Sequence, residues 1–197
     1  MNRATSIWDF TPSGNFTNLG IIDGRGGGVY LSGIMFTMND GEIINNDATF
    51  GGGVSVGWGS TFTMTGGVIS DNTTADMGGS IGWGIGGGIF IENSGTAAIT
   101  SGTISNNTSG HSGGGIFIEN GGMATITSGT INNNTAWNSI YEGGGGGIWT
   151  HTVAPAHLYV GSGVIFSGNV AYGSSWFFDG TPDVSSFIRT MSSSRSG

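Results

Sequence analysis

Two stretches of this chain are nearly the same. GGGIFIENSGTAAITSGTISNNTS begins at Gly86, and GGGIFIENGGMATITSGTINNNTA begins 27 residues later at Gly113. A period of that length marks a solenoid, a propeller or an array, in which one small unit is stacked on copies of itself. Looser copies open with triple glycines at Gly26, Gly51 and Gly145, so five units can be read. Each unit holds three short runs of alternating apolar and small polar residues, separated by Gly, Asn, Ser and Asp, which predicts three strands per unit.

The alternation says which residues face inward. In the run after the triple glycine the first and third positions are Val29 and Leu31, Val54 and Val56, Ile89 and Ile91, Ile116 and Ile118, then Ile148 and Thr150. The second run places Phe62 and Met64, Ala97 and Ile99, Ala124 and Ile126, and Leu158 and Val160 inward. The third is read as giving one isoleucine per unit: Ile44, Ile69, Ile104, Ile131 and Ile165. A period of two with one aliphatic face is that of a half-buried strand. Three strands per turn, each stacked on its equivalent one rung away, predict a single-stranded parallel β-helix, a pectin-lyase-like solenoid. A four-stranded propeller blade would need about 40 residues, and the strong bias of parallel crossovers predicts a right-handed coil. Asn46, Asp71, Asn106 and Asn133 fall two residues after the third-run isoleucine, where stacked side chains can bond the rungs above and below.

In its recurring GGG-I/V and G-x-I-x-x-N phrases the chain resembles the repetitive β-helix regions of bacterial adhesin-like and autotransporter-passenger proteins. It is more loosely similar to polymorphic outer membrane proteins, from which it departs by carrying isoleucine where they have phenylalanine before the Asn motif. The likeness runs from about Gly20 to Ala171 and implies a β-helix at the cell surface or outside the cell, bound to a glycan or a surface protein.

The ends read as caps, since an open solenoid exposes strand edges and core side chains. Residues 1–25 are assigned to an N-terminal cap with a partial first rung, 26–171 to the β-helix body, and 172–197 to a C-terminal cap and tail. Charge and composition limit the partners. A net charge of −8, with four cations that are all arginine, argues against nucleic acid and anionic membrane surfaces. The absence of cysteine removes disulfides and thiolate chemistry. No run reaches the length of a membrane span, so membrane insertion is not expected, and Met1 to Gly20 lacks the apolar segment of a signal peptide. Export would therefore need a longer precursor or another route.

Departures from the repeat locate candidate sites. Extra residues (DMGGSIGWGI, GHS and WNSIYEGG) interrupt successive units at one corner, after the Asn turn and before the triple glycine. Insertions at equivalent positions gather on one side of a solenoid. These would bring together Asp76, Met77, Trp83, His111, Ser112, Trp137, Tyr141 and Glu142. Beside them the middle residue of the first run points outward and reads Tyr30, Ser55, Phe90, Phe117 and Trp149, a row of aromatics expected to face solvent as a stacking platform or to be covered by the inserted loops. Trp83, Trp137, Tyr141, Phe90, Phe117, Trp149 and Tyr30 are thus the candidate ligand-binding residues.

Three further patterns carry chemistry. Gly110-His111-Ser112-Gly113-Gly114 matches the G-x-S-x-G pentapeptide of serine hydrolases, which would make Ser112 a nucleophile, His111 or His151 a base, and Glu142 or Asp76 its orienting acid in a carboxylesterase. No helix follows that serine, as the hydrolase turn requires, so non-catalytic binding is the leading expectation. Glu92 and Glu119 share one repeat position and would stack closely enough to repel or to share a calcium ion. Outward Thr63, Thr65, Thr100, Thr125 and Thr127 form a broken T-x-T array that resembles ice-binding solenoids, although threonine is also an ordinary outward strand residue.

Overall fold

The computed structural model describes residues 15–16, 24–75, 84–137, 144–150, 157–172 and 188–190. These residues form a parallel β-helix with no helical segment. Each of the three expected runs is a strand, and every pairing among the described residues is parallel, in register with the neighbouring rung except for one shift after Ile126, where Ile126 pairs with Val160 and Ser128 with Gly163. The first run builds one sheet from Val29–Leu31 through Val54–Val56, Ile89–Ile91, Ile116–Ile118 and Ile148–Thr150 to Ile188–Thr190. The second and third runs share another sheet. They are separate strands in the early rungs, such as Thr96–Ile99 and Thr103–Ser105, and fuse into the ten-residue strands Met123–Asn132 and Leu158–Ser167 in the later ones. A third sheet stacks short strands that follow the Asn turn: Asp47–Ala48, Thr73–Thr74, Thr108–Ser109, Thr135–Trp137 and Val170–Tyr172. Alternation could not reveal these, because a two-residue strand of Thr, Ser or Ala has no apolar period.

The core is the stack of inward rows. Ile104 and Ile131 pair in register and are fully buried, as are Ile89, Ile91, Ile116, Ile118, Phe62 and Met64. Burying each such side chain stabilises the fold by about 1.5–3 kcal/mol, and only once the neighbouring rung is in place. The triple glycine is a packing device of this stack. Gly113 turns the chain at φ 66, as Gly26, Gly51, Gly86 and Gly145 do in their rungs. A Cβ on Gly114 would sit 2.5 Å from the Thr135 carbonyl and 2.6 Å from that of Gly146, and one on Gly115 would sit 2.6 Å from the Gly147 carbonyl. Only glycine lets the backbone lie that close to the next rung.

Two register expectations need correction. The inward residue of the third run is Ile43 in the first rung and Phe166 in the fifth, aligned with Ile69 and Ile131. Ile44 is half-buried and Ile165 is 61% exposed. The segments EII and VIF offer apolar residues at both parities, and a slip of one residue turns a strand's faces over.

The buried Asn ladder holds Asn46 as expected but is displaced by one residue in the later rungs. It continues through Asn72, Asn107, Asn134 and Asn169, whereas Asp71, Asn106 and Asn133 stand one residue earlier, with Asn45, at φ values between 54 and 57. Asn and Asp tolerate that left-handed backbone, and they make the turn. Within the ladder each Oδ1 accepts from the backbone N–H and the Nδ2 of the Asn one rung earlier. Asn72 N and Nδ2 donate to Asn107 Oδ1 at 3.1 and 3.0 Å, and Asn107 N and Nδ2 donate to Asn134 Oδ1 at 3.0 Å. The second Nδ2 hydrogen goes to a core carbonyl, from Asn107 to Ile69 and from Asn134 to Ile104.

Candidate functional site

The corner where the third sheet ends is where the inserted segments leave the helix. Their anchors, Ala75 with Gly84 and Trp137 with Gly144, are described; Asp76, Met77, Trp83, Tyr141 and Glu142 lie outside the described residues, as does His151. Trp137 closes the strand Thr135–Trp137 and is in register with Tyr172 on Val170–Tyr172. Their rings stack at 4.3 Å between centroids, with 16° between planes, although Trp137 is 52% and Tyr172 is 49% exposed. Parallel strands one rung apart hold the two rings face to face and leave their edges in solvent. Tyr172, assigned above only to the C-terminal cap, carries a legible signal: it stands three residues after Asn169, as Trp137 does after Asn134.

The aromatic row of the first sheet does not face solvent. Phe90, Phe117 and Trp149 are 3–4% exposed and form a second apolar cluster, with Ser55 fully buried and Tyr30 half-buried. The outward parity was right, but the face has a cover. Phe50 and Ile85, the residues immediately before two of the triple glycines, pack against the row, because the positive-φ glycine folds the incoming chain back over its own strand. Phe50 meets Phe90 at 5.5 Å, Phe90 meets Phe117 at 5.6 Å, and Phe117 stacks on Trp149 at 4.4 Å. These side chains cannot be a solvent-facing platform.

Ser112 belongs to the same covering row. It bridges Ile85, which bridges Phe50, which bridges Arg25. Its Oγ lies 2.7 Å from His111 Nδ1 and 3.4 Å from the Gly144 N–H. The pair has the contact a nucleophile and base require, but Ser112 is fully buried. The amides that follow it, Gly113, Gly114 and Gly115, all donate to carbonyls of the next rung, Gly144, Gly145 and Gly146, so none is left to stabilise an oxyanion.

Glu92 and Glu119 are neighbours one rung apart, as expected, since Ile91 pairs with Ile118. Their carboxylates are engaged by the protein. Glu92 Oε1 lies 2.7 Å from Arg25 Nε, with the guanidinium reaching across the Phe50 ring, and Glu119 Oε2 accepts from the Asn93 N–H at 3.1 Å. Burial pushes the Glu92 carboxyl above its usual range, Arg25 pulls it down, and Glu119 pushes it up again. Arg25 thus supplies a cation to Glu92 but not to Glu119, and among the described residues no group of three or more His, Asp or Glu could hold a metal. The threonines Thr65, Thr100, Thr125 and Thr127 are exposed, and Thr63 half-exposed, on the outer face of the second sheet.

No protein-family model, no curated protein and no solved structure matches this chain.

Proposed function

We propose that this chain is a non-catalytic β-helix, exposed at the cell surface or outside the cell, that binds a glycan through the corner bearing Trp137 and Tyr172. The stacked, half-exposed pair carries this reading. Ordered aromatic rings left in solvent are a cost to a soluble protein unless something covers them, and the flat face and edge of such rings suit the apolar faces of sugar rings. The likeness to adhesin-like repeats supports the same setting, and the acidic charge favours neutral over anionic ligands.

The test is binding of the purified chain to a panel of glycans, with surface proteins alongside. Trp137→Ala and Tyr172→Ala are each expected to weaken binding by at least about tenfold, as truncated aromatic anchors do. A ligand whose affinity is unchanged by both would refute binding at this ledge, the half-exposed stack of Trp137 and Tyr172. The same preparation screened on short-chain acyl esters is expected to show no turnover that depends on Ser112; turnover abolished by Ser112→Ala would instead establish the hydrolase.

A further inference from the structure

Trp58 is the most exposed large apolar residue among those described, at 73%. It lies at a corner distinct from the ledge, in the turn between Val54–Val56 and Thr61–Met64. Its backbone is fixed. Gly57 N donates to the Leu31 carbonyl, Gly33 N to that of Trp58, Gly59 N to that of Ser94, and Ser60 N to that of Gly57. The equivalent turn holds Ser32 one rung earlier and Asn93 and Asn120 in the two later rungs, so a tryptophan stands where the repeat otherwise carries small polar residues. Room is left beside it, since a Cβ on Gly59 would meet no atom within 4 Å.

The neighbouring groups complement a hydroxylated ring. Asn93 is exposed and held at three points: its N–H by Glu119 Oε2, its Oδ1 by Ser94 Oγ at 3.0 Å, and the following residue by the bond from Ser94 N to the Gly121 carbonyl. Neither its Nδ2 nor the Trp58 indole N–H makes a hydrogen bond to the described residues. Successive rungs rise by about 4.8 Å, so the ring, the Asn93 amide and the exposed Asn120 climb the solenoid axis at intervals comparable to one hexose unit. An indole face offers stacking to the C–H side of a sugar, while the Asn93 Nδ2 offers a donor to its hydroxyls. Among the described residues the cation beside this turn, Arg25, is spent on Glu92, and Glu119 stands beside the turn, so anionic sugars are disfavoured.

We infer that the Trp58, Asn93 and Asn120 turn is a second binding site, independent of the ledge, for a neutral hexose polymer lying along the solenoid axis. The experiment is affinity electrophoresis of the full chain through gels containing hydroxyethylcellulose, galactomannan or soluble β-glucan, with polygalacturonate as the anionic comparison. Retardation by at least one neutral polymer is expected. It should weaken by at least about tenfold on Trp58→Ala, less on Asn93→Ala, and survive both Trp58→Phe and Trp137→Ala. Unchanged far-UV circular dichroism of each variant shows that the fold is kept. Retardation by none of the neutral polymers, insensitivity to Trp58→Ala, or equal retardation by polygalacturonate would each overturn the site. Loss on Trp137→Ala with Trp58→Ala unaffected would overturn it while leaving the ledge standing.

Discussion

Replacing Asn107 by alanine removes the middle of the buried amide ladder, and the structure allows the cost to be worked out. Asn107 Oδ1 is the acceptor for both Asn72 N–H and Asn72 Nδ2, so both donors are orphaned in a site with no solvent exposure. The Ile69 carbonyl and Asn134 Oδ1 each lose a donor but are less damaged, since Asn134 Oδ1 still accepts from the Asn107 backbone N–H. Two orphaned buried donors at about 1–3 kcal/mol each set the scale, and a water admitted to the vacated space would recover part, so about 3–5 kcal/mol is expected. For a chain of this size that is a fall in melting temperature of roughly 10 °C or more. Asn107→Asp refines the test. Aspartate keeps the acceptor for Asn72 but turns a second oxygen toward two acceptors, the Ile69 carbonyl and Asn134 Oδ1, so burial and those oxygens favour its protonated form. Its folded pKa is then raised above the unfolded value of about 3.9, and stability is present below that value and lost as pH rises through the folded pKa. Melting followed by circular dichroism at acidic and neutral pH, always as the difference from the unsubstituted chain, is the assay. An alanine variant that melts within about 2 °C of the original, or an aspartate variant whose deficit does not grow with pH, would refute the ladder as a source of stability.

Two further outcomes follow from the same geometry. Gly114→Ala should prevent a stable fold or lower its melting temperature by tens of degrees, because its Cβ would be driven into the Thr135 and Gly146 carbonyls; a soluble variant melting as the original does would contradict the close stacking of rungs. Arg25→Ala should raise the Glu92 carboxyl further, so that its stability deficit is absent at acidic pH, where Glu92 is protonated with or without arginine, and opens as pH rises through the folded pKa; a deficit constant across pH would show that Arg25 acts by packing on Phe50 instead.

What could be read from the letters depended on whether a residue's place was set by parity alone. The first and second runs were legible by comparing rungs rather than within one: the positions of Ile89 and Ile91 are aliphatic in nearly every rung, whereas the residue between them varies from Tyr30 and Ser55 to Phe90 and Trp149. The third run was not, since EII and VIF satisfy both parities and only stacking on Ile69 and Ile131 chooses between them. The Asn pair held a clue that alternation does not use. Its first position reads Asn45, Asp71, Asn106, Asn133 and Gly168, a set united by tolerance of positive φ; its second reads Asn in all five rungs, a set united by the need for a donor and an acceptor on one side chain. Parity also gave the direction of Phe90 and Phe117 correctly while saying nothing of what lies over them. The cover was written in Phe50 and Ile85, whose place before a turning glycine returns them to the same strand. Ser112 inherits that place, so its serine-hydrolase pentapeptide arises where a covering residue meets the obligatory glycines of the next rung. The same logic separates scaffold from site: a residue that recurs at its offset is explained by stacking, while Trp58 among Ser32, Asn93 and Asn120 gains little burial from its neighbours, and that departure from the repeat is what the proposed second site rests on.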